Sequence, residues 1–247
     1  MKQKTMFPTL ALGLEEDIRN SNPWWRGERP YDLPKMRRWA FKPVLNGLQK
    51  GLSPAVVLRG PRQIGKTTLL LQIIDHLLAE GMSPHRIFRL QFDELPDLQK
   101  LENAILEISR WFSTNILKKT FNQAAHDGEQ AYIFLDEVQN LPDWAPQLKH
   151  LVDINPVRVL VTGSSALRIE AGRDSLAGRI STFEMGPLLL REIAELRGFG
   201  SIEPFVQFNG LGPLKDKETW RGLVKYGMQH QEVRKEAFLA FSEPAKK

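Results

Sequence analysis

Residues 55–70 read AVVLRGPRQIGKTTLL, and this stretch decides the predicted fold. The apolar run at 55–58 is typical of a buried strand, and a helical pattern follows from position 66. Between them lies the pattern G-x-x-x-x-G-K-T, with Gly60 and Gly65 at its two glycine positions. Glycine lets the backbone bend tightly and approach a ligand closely, because it has no Cβ. The stretch therefore predicts a strand, a phosphate-binding loop and a helix, in that order.

The loop residues have distinct predicted roles. Inward-pointing backbone N–H groups form a nest for anions, and the positive end of the following helix dipole strengthens it. We expect Lys66 to reach the β- and γ-phosphate oxygens of a nucleoside triphosphate, and the Thr67 hydroxyl to ligate Mg²⁺. The residues predicted to bind the nucleotide are Gly60, Pro61, Arg62, Gln63, Ile64, Gly65, Lys66, Thr67 and Thr68.

A second apolar strand ends in two acids, Asp136 and Glu137. Ligands of parallel α/β sheets bind at the carboxyl ends of the strands, so we expect both carboxylates beside the phosphate loop. Asp136 is predicted to hold Mg²⁺, directly or through its water shell. Glu137 is predicted to orient and polarise the attacking water as a general base.

The acidic pair also separates classes of nucleotide-binding protein. GTPases need an Asn-Lys-x-Asp motif to read the base, and the chain has none. Small-molecule kinases typically lack an adjacent catalytic glutamate. ATP and Mg²⁺ are therefore the predicted cofactors, and hydrolysis is the favoured reaction.

Further candidates follow the apolar strand at 157–162. Ser164 or Ser165 would contact the γ-phosphate or the water, unless the serine only caps the next helix. Arg179, and after it Arg173, are candidates for an arginine that stabilises charge on the transferred phosphate, in cis or from a neighbouring subunit. The alternative is that they are ordinary arginines of exposed loops.

Trp24 and Trp25 lie beside several arginines and have two interpretations. The rings would stack on a base of ATP or of single-stranded nucleic acid, or they would pack this arm onto the domain. Packing is the favoured interpretation. Mostly helical structure is predicted over 33–50, with a kink or break at Pro43, and over 97–119. Asp143 is predicted to cap a further helix.

Composition narrows the classes of protein. The chain has 247 residues, a formal net charge of +5, five histidines and no cysteine. Disulfides and thiolate metal sites are excluded, and the scattered histidines show no ligand spacing. No apolar stretch approaches the roughly 18 residues of a membrane helix, so a cytoplasmic protein without membrane attachment is predicted. The mild positive charge suits contact with ATP or nucleic acid, although evenly spread lysines would give the same value.

Alternating strand and helix patterns predict an α/β fold with a central, mostly parallel sheet. The predicted division is an N-terminal arm and helix over 1–50, an ATPase core over 51–197 and a short helical tail over 198–247.

Four segments together, GPRQIGKTT, IFLDEVQNL, VTGSSA and LAGRISTFEMGPLLLREI, resemble a group of prokaryotic AAA-type ATP-binding proteins, mostly of unassigned cellular role. The Asn22-Pro23-Trp24-Trp25 segment is similar to theirs, and the resemblance covers about residues 20–197. It implies a three-layer P-loop fold of the RecA/AAA type, in which the strand ending at Thr162 lies between the other two motif strands. The resemblance also supports the roles given above to Lys66 and Thr67, to both acids and to Arg179. Such proteins usually continue into a C-terminal domain of unknown function, so the tail is expected to be a truncated or shortened form of it.

Three functional hypotheses follow, in this order. The first is a Mg²⁺-dependent ATPase whose hydrolysis drives a conformational change that acts on an unknown partner. The second is a nucleotide-gated binding module with little turnover. The third is an ATP-dependent nucleic-acid-binding protein that uses the segment from Trp24 to Arg38. A homo-oligomer and a protein partner both remain open.

Overall fold

The protein is described from a computed structural model, which covers residues 10–29, 32–93, 98, 101–163, 176–198, 217–232 and 235. The strands are β1 (Ala55–Arg59), β2 (Ile87–Gln91), β3 (Tyr132–Asp136), β4 (Arg158–Gly163) and β5 (Ile180–Glu184). The helices are α1 (Leu12–Asn20), α2 (Phe41–Lys50), α3 (Lys66–Ala79), α4 (Ala104–Phe112), α5 (Phe121–His126), α6 (Trp144–Ile154), α7 (Leu190–Leu196) and α8 (Lys217–Gln229).

The strands form one five-stranded sheet in the order β2-β3-β4-β1-β5. All of the described pairs are parallel. The strand that ends near Thr162, β4, lies between β1 and β3, as the resemblance implied. This order confirms the predicted α/β fold and brings the carboxyl ends of β1, β4 and β3 side by side at one edge of the sheet.

Both faces of the sheet are covered by helices. Alternate residues of β1 to β4 belong to one apolar cluster with α1, α4 and α6. On the other face α3 contacts β4, and Gly47 of α2 lies against Val56 and Phe183. Strands that are apolar on both faces are typical of a parallel sheet between helix layers, so the three-layer architecture is confirmed.

The segment around Asn22 covers the β2 edge of the sheet. The Asn22 side chain accepts a hydrogen bond from Arg89 N (2.7 Å) and donates to Arg89 O (2.9 Å), as a neighbouring strand would. Trp24 and Trp25 both donate from Nε1 to Ile87 O, at 3.0 and 2.9 Å. An edge strand exposes unpaired peptide groups, and these side chains satisfy several of them.

The two tryptophans are part of the packed structure. Trp24 is 2% exposed, and the Trp25 ring stacks on Phe88 and Phe112 at centroid distances of 5.9 and 6.0 Å. The favoured interpretation, packing onto the domain, is confirmed. Trp24 has no exposed face for stacking on a base.

Two helices begin later than predicted. Residues 34–40 are not helical, and α2 begins at Phe41. Pro43 lies in the first turn of α2 and neither kinks nor splits the helix, because N–H groups in a first turn have no intrahelical partner to lose. In the region predicted as one helix over 97–119, α4 begins only at Ala104 and gives way to a π-helical turn, Ser113–Leu117.

Asp143 lies at the position before α6, as predicted, but its side chain makes no capping bond there. Its backbone is left-handed, with φ of 52°, whereas a capping side chain normally accompanies an extended backbone. The predicted cap is wrong at this position.

The chain forms two compact units, residues 1–33 with 44–186 and residues 34–43 with 187–247. Within the second unit, the buried Arg38 and Glu192 form an ion pair at 3.0 Å. Glu192 also accepts hydrogen bonds from the backbone N–H groups of Trp39 and Leu189. It thereby ties the residues before α2 to the start of α7. The predicted division at 50 and 197 follows other boundaries and stays a prediction.

Within the part of the chain that the structure describes, no helix has both the length and the apolar character needed to span a membrane.

We expect Trp24→Ala to lower the free energy of unfolding by about 3–5 kcal/mol, because it leaves a large cavity beside the sheet. Trp24→Phe keeps most of the volume and loses only the Nε1 donor, which is worth about 1 kcal/mol. Urea unfolding followed by circular dichroism measures both. Leu12→Ala, at a side chain that is 88% exposed, is the control and should be nearly neutral. Equal stability of Trp24→Ala and this control would contradict the edge-packing role.

The two loop glycines should differ in their tolerance of a side chain. A Cβ at Gly60 (φ +153°) would lie 2.1 Å from Met185 O, whereas a Cβ at Gly65 (φ +87°) would meet no atom within 4 Å. We expect Gly65→Ala to cost about 1–2 kcal/mol of unfolding free energy from backbone strain, and Gly60→Ala clearly more because the backbone must shift. The denaturation midpoints of the two variants measure the difference.

Gly13→Ala is the control for the glycine pair, because its Cβ meets nothing within 4 Å and its backbone is not left-handed. Gly13 lies inside α1, so this change should stabilise by about 0.5–1 kcal/mol. Finding Gly60→Ala as stable as Gly65→Ala would show that Met185, the residue directly after β5, does not approach the loop this closely.

Candidate functional site

The carboxyl edge of the sheet gathers the predicted residues. The loop from Gly60 to Gly65 connects β1 to α3, so Lys66 and Thr67 are the first two residues of that helix. Asp136 is the last residue of β3, and Thr162 is the next-to-last residue of β4. Because β4 lies between β1 and β3, these positions meet although they are far apart in sequence.

Asp136 is completely buried, and three side chains hold its carboxylate. Its Oδ1 accepts hydrogen bonds from the Thr67 hydroxyl (3.2 Å) and the Thr162 hydroxyl (2.5 Å). Its Oδ2 accepts one from Arg89 Nη2 (3.0 Å). Burial raises the pKa of Asp136, while the charge of Arg89 and then the two hydroxyls act against that shift. The two predicted metal ligands, Thr67 and Asp136, are thus hydrogen-bonded to each other.

Lys66 is buried inside the phosphate loop. Its Nζ donates to Gly60 O (3.2 Å) and Pro61 O (2.8 Å). The same ammonium lies 3.6 Å from Glu137 Oε1, and only 3% of the lysine side chain is exposed. Both predicted acids and the predicted lysine therefore share one site.

Glu137 is held in a tight turn directly after β3. Its backbone is left-handed, with φ of 53°, and its N–H donates to the Thr162 hydroxyl at 3.0 Å. Its Oε2 accepts a hydrogen bond from Gln139 Nε2 at 2.5 Å. Gln63 in the loop is also left-handed, with φ of 61°. Such conformations are costly for non-glycine residues and are concentrated at functional sites.

The donor set fits Mg²⁺. Thr67 and Asp136 offer hard oxygen ligands that lie within hydrogen-bonding distance of each other. Among the described residues, no cluster of three His, Asp or Glu side chains is available to hold a metal ion. An ion at this site would complete its shell with water and phosphate oxygens, which is how Mg²⁺ is usually bound beside nucleotides.

Arg179 is not brought to this site. Its backbone oxygen accepts a hydrogen bond from the N–H of Ala55, the first residue of β1. Gly60 follows the last residue of β1, so Arg179 lies at the opposite end of the strands from the loop. Its guanidinium donates to Asp153 Oδ1 at 2.5 Å, and this contact lowers the pKa of Asp153. The position of Arg179 does not fit action in cis on a nucleotide at the loop. Action on the nucleotide of a neighbouring subunit stays a prediction.

The other candidates of that region, Ser164, Ser165 and Arg173, lie outside the described residues. Their predicted roles stay predictions.

Sequence reasoning missed Arg89, Thr162 and Gln139 as parts of the site. Arg89 stands between Phe88 and Leu90, and a charged residue between apolar neighbours is itself a signal. It is 4% exposed, and such a group needs a buried partner. Thr162 shows a similar signal of a buried polar contact, since it places a hydroxyl near the end of an apolar strand. Which groups Arg89 and Thr162 contact cannot be read from the sequence without the strand order.

Comparisons with known proteins agree with this architecture. The model of a family described as an AAA domain matches residues 52–194. An uncharacterized protein of Methanocaldococcus jannaschii is 34% identical over 139 residues, which make up 56% of this chain and 27% of that protein. The chain spans between 27% and 29% of the length of the curated relatives that it matches.

Two solved structures are similar to the chain at low identity. An Hsp104–ADP complex of S. cerevisiae has a TM-score of 0.49 and 14% identity, covering 70% of this chain and 25% of that one. A Walker-type ATPase of Pyrococcus abyssi has a TM-score of 0.44 and 15% identity, covering 84% and 77%.

The family match includes the loop, both acids and β5, and it extends over more than half of the 247 residues. The chain therefore belongs to the AAA-domain family.

Proposed function

We propose that the chain binds ATP with Mg²⁺ at this sheet edge and hydrolyses it to ADP and phosphate. The observation that carries the proposal is the meeting of Lys66, Asp136 and Glu137 at the phosphate loop, with the Lys66 ammonium 3.6 Å from Glu137. Membership of the AAA-domain family supports it. The hydrolysis cycle is proposed to drive a conformational change that acts on a partner.

Binding would exchange hydrogen bonds at Lys66. Its ammonium now donates to two loop carbonyls, Gly60 O and Pro61 O. Phosphate oxygens are stronger acceptors because they are ionised, so they compete well for these donors. The N–H groups at the start of α3 and the positive end of its dipole favour the same negative charge.

Thr67 and Asp136 are the residues that would hold Mg²⁺. When bound there, the ion neutralises charge on the phosphate oxygens. Thr162 supports the same carboxylate, because its hydroxyl donates to Asp136 Oδ1 and accepts from the N–H of Glu137. One hydroxyl thereby sets the relative orientation of the two acids.

Glu137 is the proposed general base. Its carboxylate would take a proton from a water molecule as the water oxygen attacks the γ-phosphorus and the bond to ADP breaks. Lys66 and Gln139 contact its two oxygens and restrict their directions. For hydrolysis, the water must replace or share the hydrogen bond from Gln139.

The hydrogen bond from Gln139 to Glu137 also favours a second candidate function, a nucleotide-gated binding module with little turnover. As long as Gln139 and Lys66 occupy the Glu137 carboxylate, the base is engaged elsewhere and hydrolysis is slow. The two candidates share one site and differ in rate.

Three kinds of partner are proposed. Burial of Trp24 and the ring packing of Trp25 weaken the stacking argument for nucleic acid, so the arginines of this segment and the net charge of +5 are its remaining support. A homo-oligomer is proposed because an arginine acting in trans, such as Arg179, requires a neighbouring subunit. A different protein remains a further proposed partner.

We expect Glu137→Gln to retain ATP binding while turnover falls by about 100- to 10,000-fold, because the general base is lost. Phosphate release measures turnover, and the fluorescence of a mant-labelled ATP measures binding. The control is Glu28→Gln, at an exposed surface acid. If the wild-type chain hydrolyses ATP readily and Glu137→Gln does so at the same rate, the proposed mechanism is ruled out. If the wild-type chain itself shows almost no turnover, the binding module is favoured.

We expect Lys66→Ala to weaken mant-ATP binding by about 100-fold, since charge-assisted hydrogen bonds to phosphate are lost. Lys119→Ala removes a lysine that pairs with Asp127 and Glu129 at the surface, so it serves as the matched control. If both variants bind like the wild type, the phosphate loop is not the nucleotide site.

A further inference from the structure

Arg89 is a buried charge outside the motifs. It lies on β2, and its side chain is 5% exposed, while that of its partner Asp136 is 0% exposed. Its Nη2 donates to Asp136 Oδ2 at 3.0 Å and also contacts Gln91 Oε1. A buried ion pair adds little stability compared with apolar side chains of similar volume. Sheet stability alone therefore gives little reason for its presence.

The contacts of Asp136 are divided between its two oxygens. Oδ1 faces the hydroxyls of Thr67 and Thr162, and Oδ2 faces Arg89. A carboxylate held on one oxygen alone can still rotate about its Cβ–Cγ bond. The guanidinium holds the second oxygen and so fixes the rotation that presents Oδ1 to Thr67.

The backbone of Arg89 is itself held in place by hydrogen bonds to Asn22. The Asn22 side chain bonds both Arg89 N and Arg89 O, and it donates a further hydrogen bond to Ile18 O of α1 at 2.7 Å. Asn22 is fully buried. A continuous chain of contacts therefore runs from α1 through Asn22 and Arg89 to Asp136.

We propose that Arg89 is a positioning residue for the metal-holding carboxylate of Asp136, and that Asn22 supports it from the N-terminal segment. The inference rests on the proposed function, because it assigns Asp136 the part that it has in Mg²⁺–ATP binding. Residues that orient a metal ligand are commonly worth a factor of about 10–100 in metal affinity. Arg89 acts through Asp136. It therefore affects how much Mg²⁺ is needed for ATP binding, and it does not affect the affinity for ATP in the absence of Mg²⁺.

Arg89→Met and Arg89→Lys in the full chain test this. Mant-ATP binding is titrated with Mg²⁺ and is measured separately in EDTA, where no divalent ion is free. In Arg89→Met, the Mg²⁺ concentration for half-maximal enhancement of binding should rise about 10- to 100-fold, with affinity in EDTA unchanged. Arg89→Lys keeps the charge and one donor, so it should recover part of the shift.

Arg158→Met is the matched control. Arg158 is an arginine at the start of β4, which β3 separates from β2, and it donates to Gly51 O and Ser53 O at the amino ends of the strands. It should lower stability without changing the Mg²⁺ requirement. Asn22→Ala should shift the Mg²⁺ requirement in the same direction as Arg89→Met but less, since it acts through one more residue.

The outcomes separate the two proposals. A wild-type Mg²⁺ requirement in Arg89→Met, or an equal loss of affinity with and without Mg²⁺, would overturn the positioning role and leave the proposed function standing. If Arg89→Met does not fold by circular dichroism, Arg89→Lys decides by the same two measurements. A wild-type chain that binds no mant-ATP at any Mg²⁺ concentration would overturn both.

Discussion

A carboxylate without exposure to water organises this protein. Asp136 lies at the end of β3, an interior strand of the sheet, where an ionised group is stable only if donors surround it. Its donors come from α3 (Thr67), β4 (Thr162) and β2 (Arg89). The site is therefore complete only when these elements have taken their positions, which makes the strand order a condition for the chemistry.

Two of the four left-handed non-glycine residues in the described part of the chain lie at this site. Gln63 and Glu137 adopt left-handed conformations, and Gly60 approaches the backbone of Met185 too closely to carry a Cβ. These features let the loop curl around Lys66 and turn Glu137 back toward it. The surrounding sheet is regular and apolar, so it can hold these less favourable conformations in place.

The N-terminal segment is a structural part of the compact unit that contains the sheet. Asn22 and the two tryptophans supply the hydrogen bonds and the aromatic surface that a further strand would otherwise supply at the β2 edge. Covering the edge protects it from pairing with other chains. It also holds the strand that carries Arg89, so edge protection and the support of Asp136 depend on the same few side chains.

The sequence by itself determined the phosphate loop, the acidic strand end and the α/β class. Each of these is encoded in a run of neighbouring residues whose backbone requirements are local. Only the tertiary structure decided that Arg89 holds Asp136 and that Asn22 holds Arg89. It also showed that Arg179 lies at the far edge of the sheet, bonded to Asp153. The physical reason is separation along the chain: Asn22 and Arg89 are 67 residues apart, and only the packing of the segment after α1 against β2 brings them into contact.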